Sequence, residues 1–329
     1  MTDWLKDTLI DLHAKGGSAE FLVASAVASL ILCFLLIPRT TDMMVDAAAG
    51  LAGKHLGSKE RTLVINCSTN NPELFSMFLS FAIFRLGGIA NPLGSNFANI
   101  YLMFLVAPIF AAIAFLFRGR GIGELVGLVG RERALVCWHF LMAAMLFLGS
   151  SVAYYLLTGV DQFQLFEGEV HEPTTGSLAG AAGLAVLLLV VFFVFERRLR
   201  KRRPEVFEDI DNSDEVASWK VFLTGTAGLI LCCYAMNSLF VAWSEIYGGR
   251  LALLMGPAIF AGLHYFVGSL VTSLPEMRVA VKNLLRVKAP DLNTALGSAS
   301  YSNMSNLAIA AIGSLVAAAL LSLGVELTL

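Results

Sequence analysis

The chain has 329 residues, 57% of them hydrophobic and only 15% charged, with a net charge of −2 and a mean hydropathy of +0.73. Those values exclude an ordinary water-soluble domain and a disordered chain, and they place the protein among integral membrane proteins.

In chain order, positions 1 to 20 are polar and mixed in charge, unlike a cleaved signal peptide, and the first apolar run follows them. A helix needs ~20 apolar residues to cross ~30 Å of hydrocarbon. Eight spans are expected on that basis: 19 to 37, 58 to 85, 91 to 117, 134 to 157, 177 to 195, 218 to 243, 251 to 284 and 291 to 325. An amphipathic, small-residue piece, TTDMMVDAAAGLAGKHLG, precedes the second. Basic residues gather in alternate loops: Arg39, Lys54, Lys59 and Arg61; Arg118, Arg120, Arg131 and Arg133; RRLRKRR at 197 to 203; and Lys282, Arg286 and Lys288. The loop between spans four and five is acidic. The positive-inside rule then puts both termini outside, in a membrane expected to be the bacterial inner (plasma) membrane. The basic run is read as an anchor to anionic lipid, not a nucleic-acid site.

Residues 196 to 217 turn from basic to acidic around Pro204 and read as a cytoplasmic linker. It separates a first half of five spans, 1 to 195, from a second of three, 218 to 329. Its acidic portion reads as solvated charge rather than a regulatory calcium site. The five Cys, at 33, 67, 137, 232 and 233, show neither metal spacing nor a disulfide framework and read as packing residues.

Self-similarity is the most productive signal. STNNPE at 68 to 73 returns as VTSLPE at 271 to 276, so that Thr69, Pro72 and Glu73 recur as Thr272, Pro275 and Glu276, 203 positions on. NPLGSNFANIYL at 91 to 102 returns as SASYSNMSNLAI at 298 to 309, so that Asn91, Ser95 and Asn99 recur as Ser298, Ser302 and Asn306, 207 positions on. The first copy occupies 62 to 117 and the second 251 to 325. One lies on an even crossing and the other on an odd one, so the two run in opposite directions. Inverted repeats of this kind build secondary transporters, with the binding site where the repeats meet.

Spacing shows what the polar residues share. Asn66, Thr69, Asn70 and Glu73 stand at i, i+3, i+4 and i+7 on one helix face, as do Ser269, Thr272, Ser273 and Glu276. Asn91, Ser95 and Asn99 form an i, i+4, i+8 line, as do Ser298, Ser302 and Asn306. Pro72 and Pro275 have no N–H, so the carbonyls of Ser68 and Val271 are expected to lose their helical partners. At membrane depth that is tolerated only inside protein or beside a water-filled cavity. Carboxylate, hydroxyl, amide and carbonyl oxygens are hard donors suited to Ca²⁺ or Na⁺. Two uncompensated glutamates would each cost ~2.5 to 3.5 kcal/mol on insertion scales, which a bound cation offsets. Helix-to-helix hydrogen bonding explains a lone Ser or Asn equally well. It does not explain two Glu with matched Pro and Thr neighbours.

At these residues the chain resembles the Ca²⁺/cation antiporter superfamily, which includes the Na⁺/Ca²⁺ exchangers. VTSLPE is close to the family's G-[ST]-S-x-P-E pattern, STNNPE is looser, and GSNFAN fits G-S-N-x-x-[ND] fully. The likeness extends upstream through TTDMMVDAAAGLAGKHLG and covers about 140 residues. It implies an all-α, inverted-repeat antiporter fold of about eight helices, five plus three. It also implies a cation site at Thr69, Asn70, Glu73, Ser95 and Asn99 with Thr272, Ser273, Glu276, Ser302 and Asn306, and alternating access in which the first and sixth spans slide across the repeat core. No cofactor is expected. Ca²⁺ and Na⁺, or H⁺, bind as transported ions, and membrane lipid and inorganic cations are the expected partners.

There are departures from the family. Asn70 stands where Ser is usual, as in proton-coupled members, while Tyr301 replaces the Gly before the second S-N and either closes packing or narrows a path. Both Asn99 and Asn306 are amides, so two Glu supply the site's charge. The second half is two spans short of the family's usual five, and a second copy or another chain is expected to cover the face left open. Arg278 is expected to snorkel inward, and His264 to pack. Three functions stay open: Ca²⁺/Na⁺ exchange, proton-coupled cation exchange, and a repeat scaffold without transport that serves as a sensor or subunit. No metal-ligand cluster, phosphate loop or nucleophile elbow supports an enzyme.

Overall fold

The computed structural model describes residues 4–55, 58–82, 85–159, 173–207, 217–255, 265 and 268–328. The protein is an all-α integral membrane protein; among the described residues, six helical stretches are long and apolar enough to cross a membrane. Helix α1 (Trp4–Ile31) and α2 (Ile37–His55) form one continuous stretch through a π-helical turn at Leu32–Leu36. Next come α3 (Ser58–Ser68), α4 (Asn71–Ala82), α5 (Ala90–Tyr101) and α6 (Ala107–Phe117), the last two joined by a second π-helical turn at Leu102–Val106. Then follow α7 (Ile122–Arg131), α8 (Arg133–Thr158), α9 (Thr175–Arg202) and α10 (Trp219–Met255). Last are the single turn α11 (Ser269–Thr272), α12 (Leu274–Leu284) and α13 (Ala289–Ser322).

Six of the eight expected spans appear as long helices. The other two, 58 to 85 and 251 to 284, do not, because each is interrupted where its proline falls: α3 gives way to α4 ahead of Pro72, and α11 to α12 ahead of Pro275. Part of the second, with His264, lies outside the described residues. The N-terminal stretch also differs from expectation. Trp4 to Gly16 is helical and is tied to α10 by a Lys6–Glu245 ion pair at 3.2 Å, with the bend placed at Gly17, whose φ of 83° suits glycine. The amphipathic piece that follows the first span is not a separate element but the continuation of α1 into α2. Pro38 and Pro108 each lie just past a π turn, where a widened backbone relieves the clash a proline makes with the preceding turn.

Helix α13 is the central post. It packs against α9, α8, α12, α5 and α3, and 22 of its residues are buried, among them the long polar series from Asn293 to Asn306. Helix α10 lies along α2 at close range: a Cβ on Gly225 would stand 2.8 Å from the Met44 nitrogen and 2.9 Å from the Thr40 carbonyl oxygen. Gly94 does the same for the core, since a Cβ there would stand 2.0 Å from the carbonyl oxygen of Tyr265. Small residues at these crossings are what lets membrane helices approach backbone to backbone.

The basic loops meet at one end of the bundle. Arg203 bridges Glu132, at 2.8 Å, and Glu205, tying the end of α9 to the turn before α8. Arg120 donates to the Leu285 carbonyl at 3.0 Å, bringing the α6–α7 loop to the end of α12. The Arg203 guanidinium holds the exposed Glu205 carboxyl below the usual glutamate range, so this link is present near neutral pH and is lost as pH falls through that lowered value. At the other end, the Leu86 N–H reaches the Thr328 carbonyl at 2.7 Å.

Candidate cation site

The site forms at the two helix breaks. In the first, α3 stops at Ser68, Thr69 and Asn70 make the turn, and α4 begins at Asn71 with Pro72 in its first turn. In the second, α11 stops at Thr272, Ser273 makes the junction, and α12 begins at Leu274 with Pro275 next. With Pro275 lacking an N–H, the Val271 carbonyl has no i+4 partner, while the Ser273 N–H closes the single turn of α11 on the Ser269 carbonyl at 3.0 Å.

All ten expected ligands are buried, with Glu73 and Glu276 at 0% exposure. Around Glu73, the Ser95 hydroxyl donates to Oε1 at 3.0 Å and lies 3.4 Å from the Thr272 hydroxyl. Thr272 in turn reaches Asn91 Oδ1 at 3.5 Å. Glu276 stands beside the hydroxyls of Thr69 and Ser302 and within the field of Glu73. Ser302 links the two groups: its hydroxyl donates to Asn70 Oδ1 at 2.6 Å, its carbonyl accepts from Asn70 Nδ2 at 2.7 Å, and its oxygen accepts from Asn99 at 2.9 Å. Each carboxylate therefore sits among oxygens drawn from both copies of the motif.

Several buried polar atoms in this region are unsatisfied. Glu73 Oε2, both oxygens of Glu276, Ser273 Oγ, Asn99 Oδ1 and both side-chain heteroatoms of Asn306 lack a hydrogen-bond partner. A buried polar atom left that way costs about 1 to 3 kcal/mol, and more when charged. Native interiors rarely tolerate such a group without reason, and most of these atoms are acceptors. The Thr69 hydroxyl spends its proton on the Asn66 carbonyl at 2.9 Å, which leaves its lone pairs available. Carboxylate, hydroxyl and amide oxygens are the kind of donors that a hard cation takes in place of water. Among the described residues no three His, Cys, Asp or Glu side chains converge, so the charge comes from two carboxylates and the rest of the donors are neutral.

Other residues fall outside this cluster. Arg278 points away and pairs with Asp42 of α2 at 3.0 Å. Tyr301 closes packing rather than narrowing a path: it is 1% exposed, stacks edge-on against Phe192 at 5.4 Å and donates to Glu196 at 3.3 Å. Glu196 is itself held by Arg200, and the first part of the expected linker, 196 to 202, belongs to α9. Two features escape the sequence reading. The buried His139 bridges Ser300 at 2.6 Å and Asn293 at 2.9 Å, joining α8 to α13. Asn96 and Asn303, equivalent positions 207 apart, each donate to the other's backbone carbonyl, at 3.2 and 3.1 Å. Their shared offset is the signal that could have found them.

The reciprocal bonds behave as a self-complementary contact, in which i meets j as j meets i. Each amide donates to a backbone carbonyl that survives replacement of the other side chain, so replacing either Asn by Ala costs about 1 kcal/mol or more and the double replacement costs about the sum; a thermal-unfolding cycle on the four proteins measures any departure from additivity.

The fold and this centre define an integral membrane protein with a buried, oxygen-rich, doubly acidic core. Comparison with protein-family models, curated proteins and solved structures finds no match for the chain.

Proposed function

We propose that the chain is a secondary antiporter that exchanges Ca²⁺ or a related cation for Na⁺ at the Glu73–Glu276 centre. The observation that carries this reading is the set of unpartnered carboxylate oxygens, fully buried, at two proline-linked helix breaks. Helices broken near the bilayer midplane, at the meeting of two repeats, are where transporters hold their ions. The breaks at 69–70 and 273, with the Asn96–Asn303 reciprocity, support an inverted repeat in which the two interrupted segments complete eight crossings. The basic end of the bundle would then face the cytoplasm of a plasma membrane. Two negative charges suit one divalent or two monovalent cations, so both ions compete for the same oxygens and transport proceeds by exchange.

Proton coupling is the second reading, favoured by one observation. The Asn70 amide is held in a double hydrogen bond with Ser302, which engages one of its oxygen's two lone pairs and leaves it a poorer ligand for a sodium ion than a hydroxyl at this position. The two readings separate in vesicles containing the purified protein. Radioactive calcium uptake driven by an outward sodium gradient, and not by a pH gradient, is the expected outcome. Uptake under a pH gradient alone establishes proton coupling, and uptake under neither overturns exchange and leaves the non-transporting scaffold.

A further inference from the structure

The seam between the start of α8 and the end of α9 holds a cavity of about 350 Å³, within the ~300 to 1,000 Å³ usual for small-ligand sites. Its apolar wall comes from Leu135 and Trp138 of α8 and from Phe195 and Leu199 of α9, and Arg198 and Arg202 stand beside them. Phe195, Arg198, Leu199 and Arg202 are spaced i, i+3, i+4 and i+7, so one face of α9 presents an apolar pair and two guanidinium groups together. The acids close to this seam are already taken. Glu132 and Glu205 pair with Arg203, and Glu196 pairs with Arg200. Arg198 and Arg202 are exposed and enter no ion pair among the described residues; Arg198 lies over the Phe195 ring at 5.7 Å, a contact that uses none of its N–H donors. The apolar stretch of α9 ends at Phe195 and the basic run follows, which puts the cavity at the boundary where acyl chains give way to headgroups.

We propose that this seam seats one anionic phospholipid, its phosphate between Arg198 and Arg202 and the upper methylenes of its chains against Leu135, Trp138, Phe195 and Leu199. The site goes beyond the exchange reading and holds whether or not the chain transports. A soluble anion would satisfy the two arginines and leave the apolar wall wet, while a neutral lipid would cover the wall and leave the arginines unpaired. Only a ligand with both parts matches both. Diffuse attraction of a basic run to a charged membrane is different, because it draws on every Lys and Arg alike, including Arg197 and Lys201, which do not line the cavity. The seat also reaches into the fold. Trp138 packs edge-on against His139 at 5.0 Å, and His139 bonds Ser300 and Asn293, so an occupant that braces α8 against α9 also braces α13, which carries Ser302 and Asn306.

The test uses the full chain in non-ionic detergent, with Trp4→Phe, Trp219→Phe and Trp243→Phe leaving Trp138 as the fluorescent reporter. Phosphatidylglycerol and phosphatidylcholine, brominated on the same chains, are titrated in, and bromine quenches an indole it approaches. Half-maximal quenching is expected at about tenfold to thirtyfold less of the anionic lipid, from two arginines acting together. Arg198→Gln with Arg202→Gln should erase that preference. Arg197→Gln with Lys201→Gln, the same loss of charge away from the cavity, should keep it. Inorganic phosphate in excess, at matched ionic strength, should not protect Trp138. Equal quenching by the two lipids, equal loss of preference in the two double variants, or protection by phosphate alone, which marks a site for a free anion, overturns the proposal. Should the reporter chain fail to fold, native mass spectrometry of the chain with all its tryptophans counts bound phosphatidylglycerol. One lipid is then expected to be retained, and to be lost in Arg198→Gln with Arg202→Gln but not in Arg197→Gln with Lys201→Gln; retention in both pairs, or loss in both, overturns the proposal.

Discussion

Glu276→Gln, and separately Glu73→Gln, should reduce calcium uptake in vesicles at least about a hundredfold, a loss of ~2.7 kcal/mol in the rate-limiting barrier. Glutamine keeps the shape of the side chain and removes one of the two charges that offset a divalent cation. The same substitutions should make the cation-free protein more stable, not less. An unpaired buried charge opposes folding, and glutamine removes that charge while keeping the volume of the side chain. Both oxygens of Glu276 lack partners, whereas one of Glu73 is held by Ser95, so Glu276→Gln should give the larger gain. Calcium should stabilise the parent chain by ~2.7 kcal/mol at a hundred times its dissociation constant and should lose that effect in either variant. Melting temperature with and without Ca²⁺ measures both. A variant that loses transport together with cation-free stability would show that the carboxylates serve packing and not ion binding.

Gly94→Ala should lower stability by about 3 kcal/mol or more, at the upper end for overpacking, because the obstacle is backbone. The added methyl would meet the Tyr265 carbonyl oxygen at 2.0 Å, and neither partner can turn aside by changing a rotamer. Helix α5 would have to move outward, taking Ser95 and Asn99 away from Glu73 and Ser302, so cation affinity should fall with stability. Gly130→Ala is the control. Nothing lies within 4 Å of a Cβ at that helical position, and the change should stabilise by about 0.5 to 1 kcal/mol. Thermal denaturation of the purified proteins distinguishes the two signs.

The centre is legible in the sequence because its ligands repeat. Polar residues at helical spacing in an oily chain declare a shared face, a proline declares a break, and a second copy declares a partner for both. Thr69, Asn70 and Glu73 with their counterparts could be put on shared faces before any coordinates, and all ten expected ligands are buried. What periodicity does not encode is which distant side chains meet. The pairing of Arg278 with Asp42, of Tyr301 with Glu196 and of His139 with Asn293 joins positions 105 to 236 residues apart, and each depends on how helices are laid side by side. The fusion of α1 with α2 is hidden for another reason. The first span is expected to end at 37, yet the π turn before Pro38 absorbs the clash and the helix continues.

The Asn96–Asn303 bonds bear on how such a molecule can move. If turning the centre from one side of the membrane to the other exchanges the postures of the two repeats, any contact lying on their common axis is carried onto itself. Under the exchange reading that contact would be the fulcrum, keeping its length while the surrounding helices trade places.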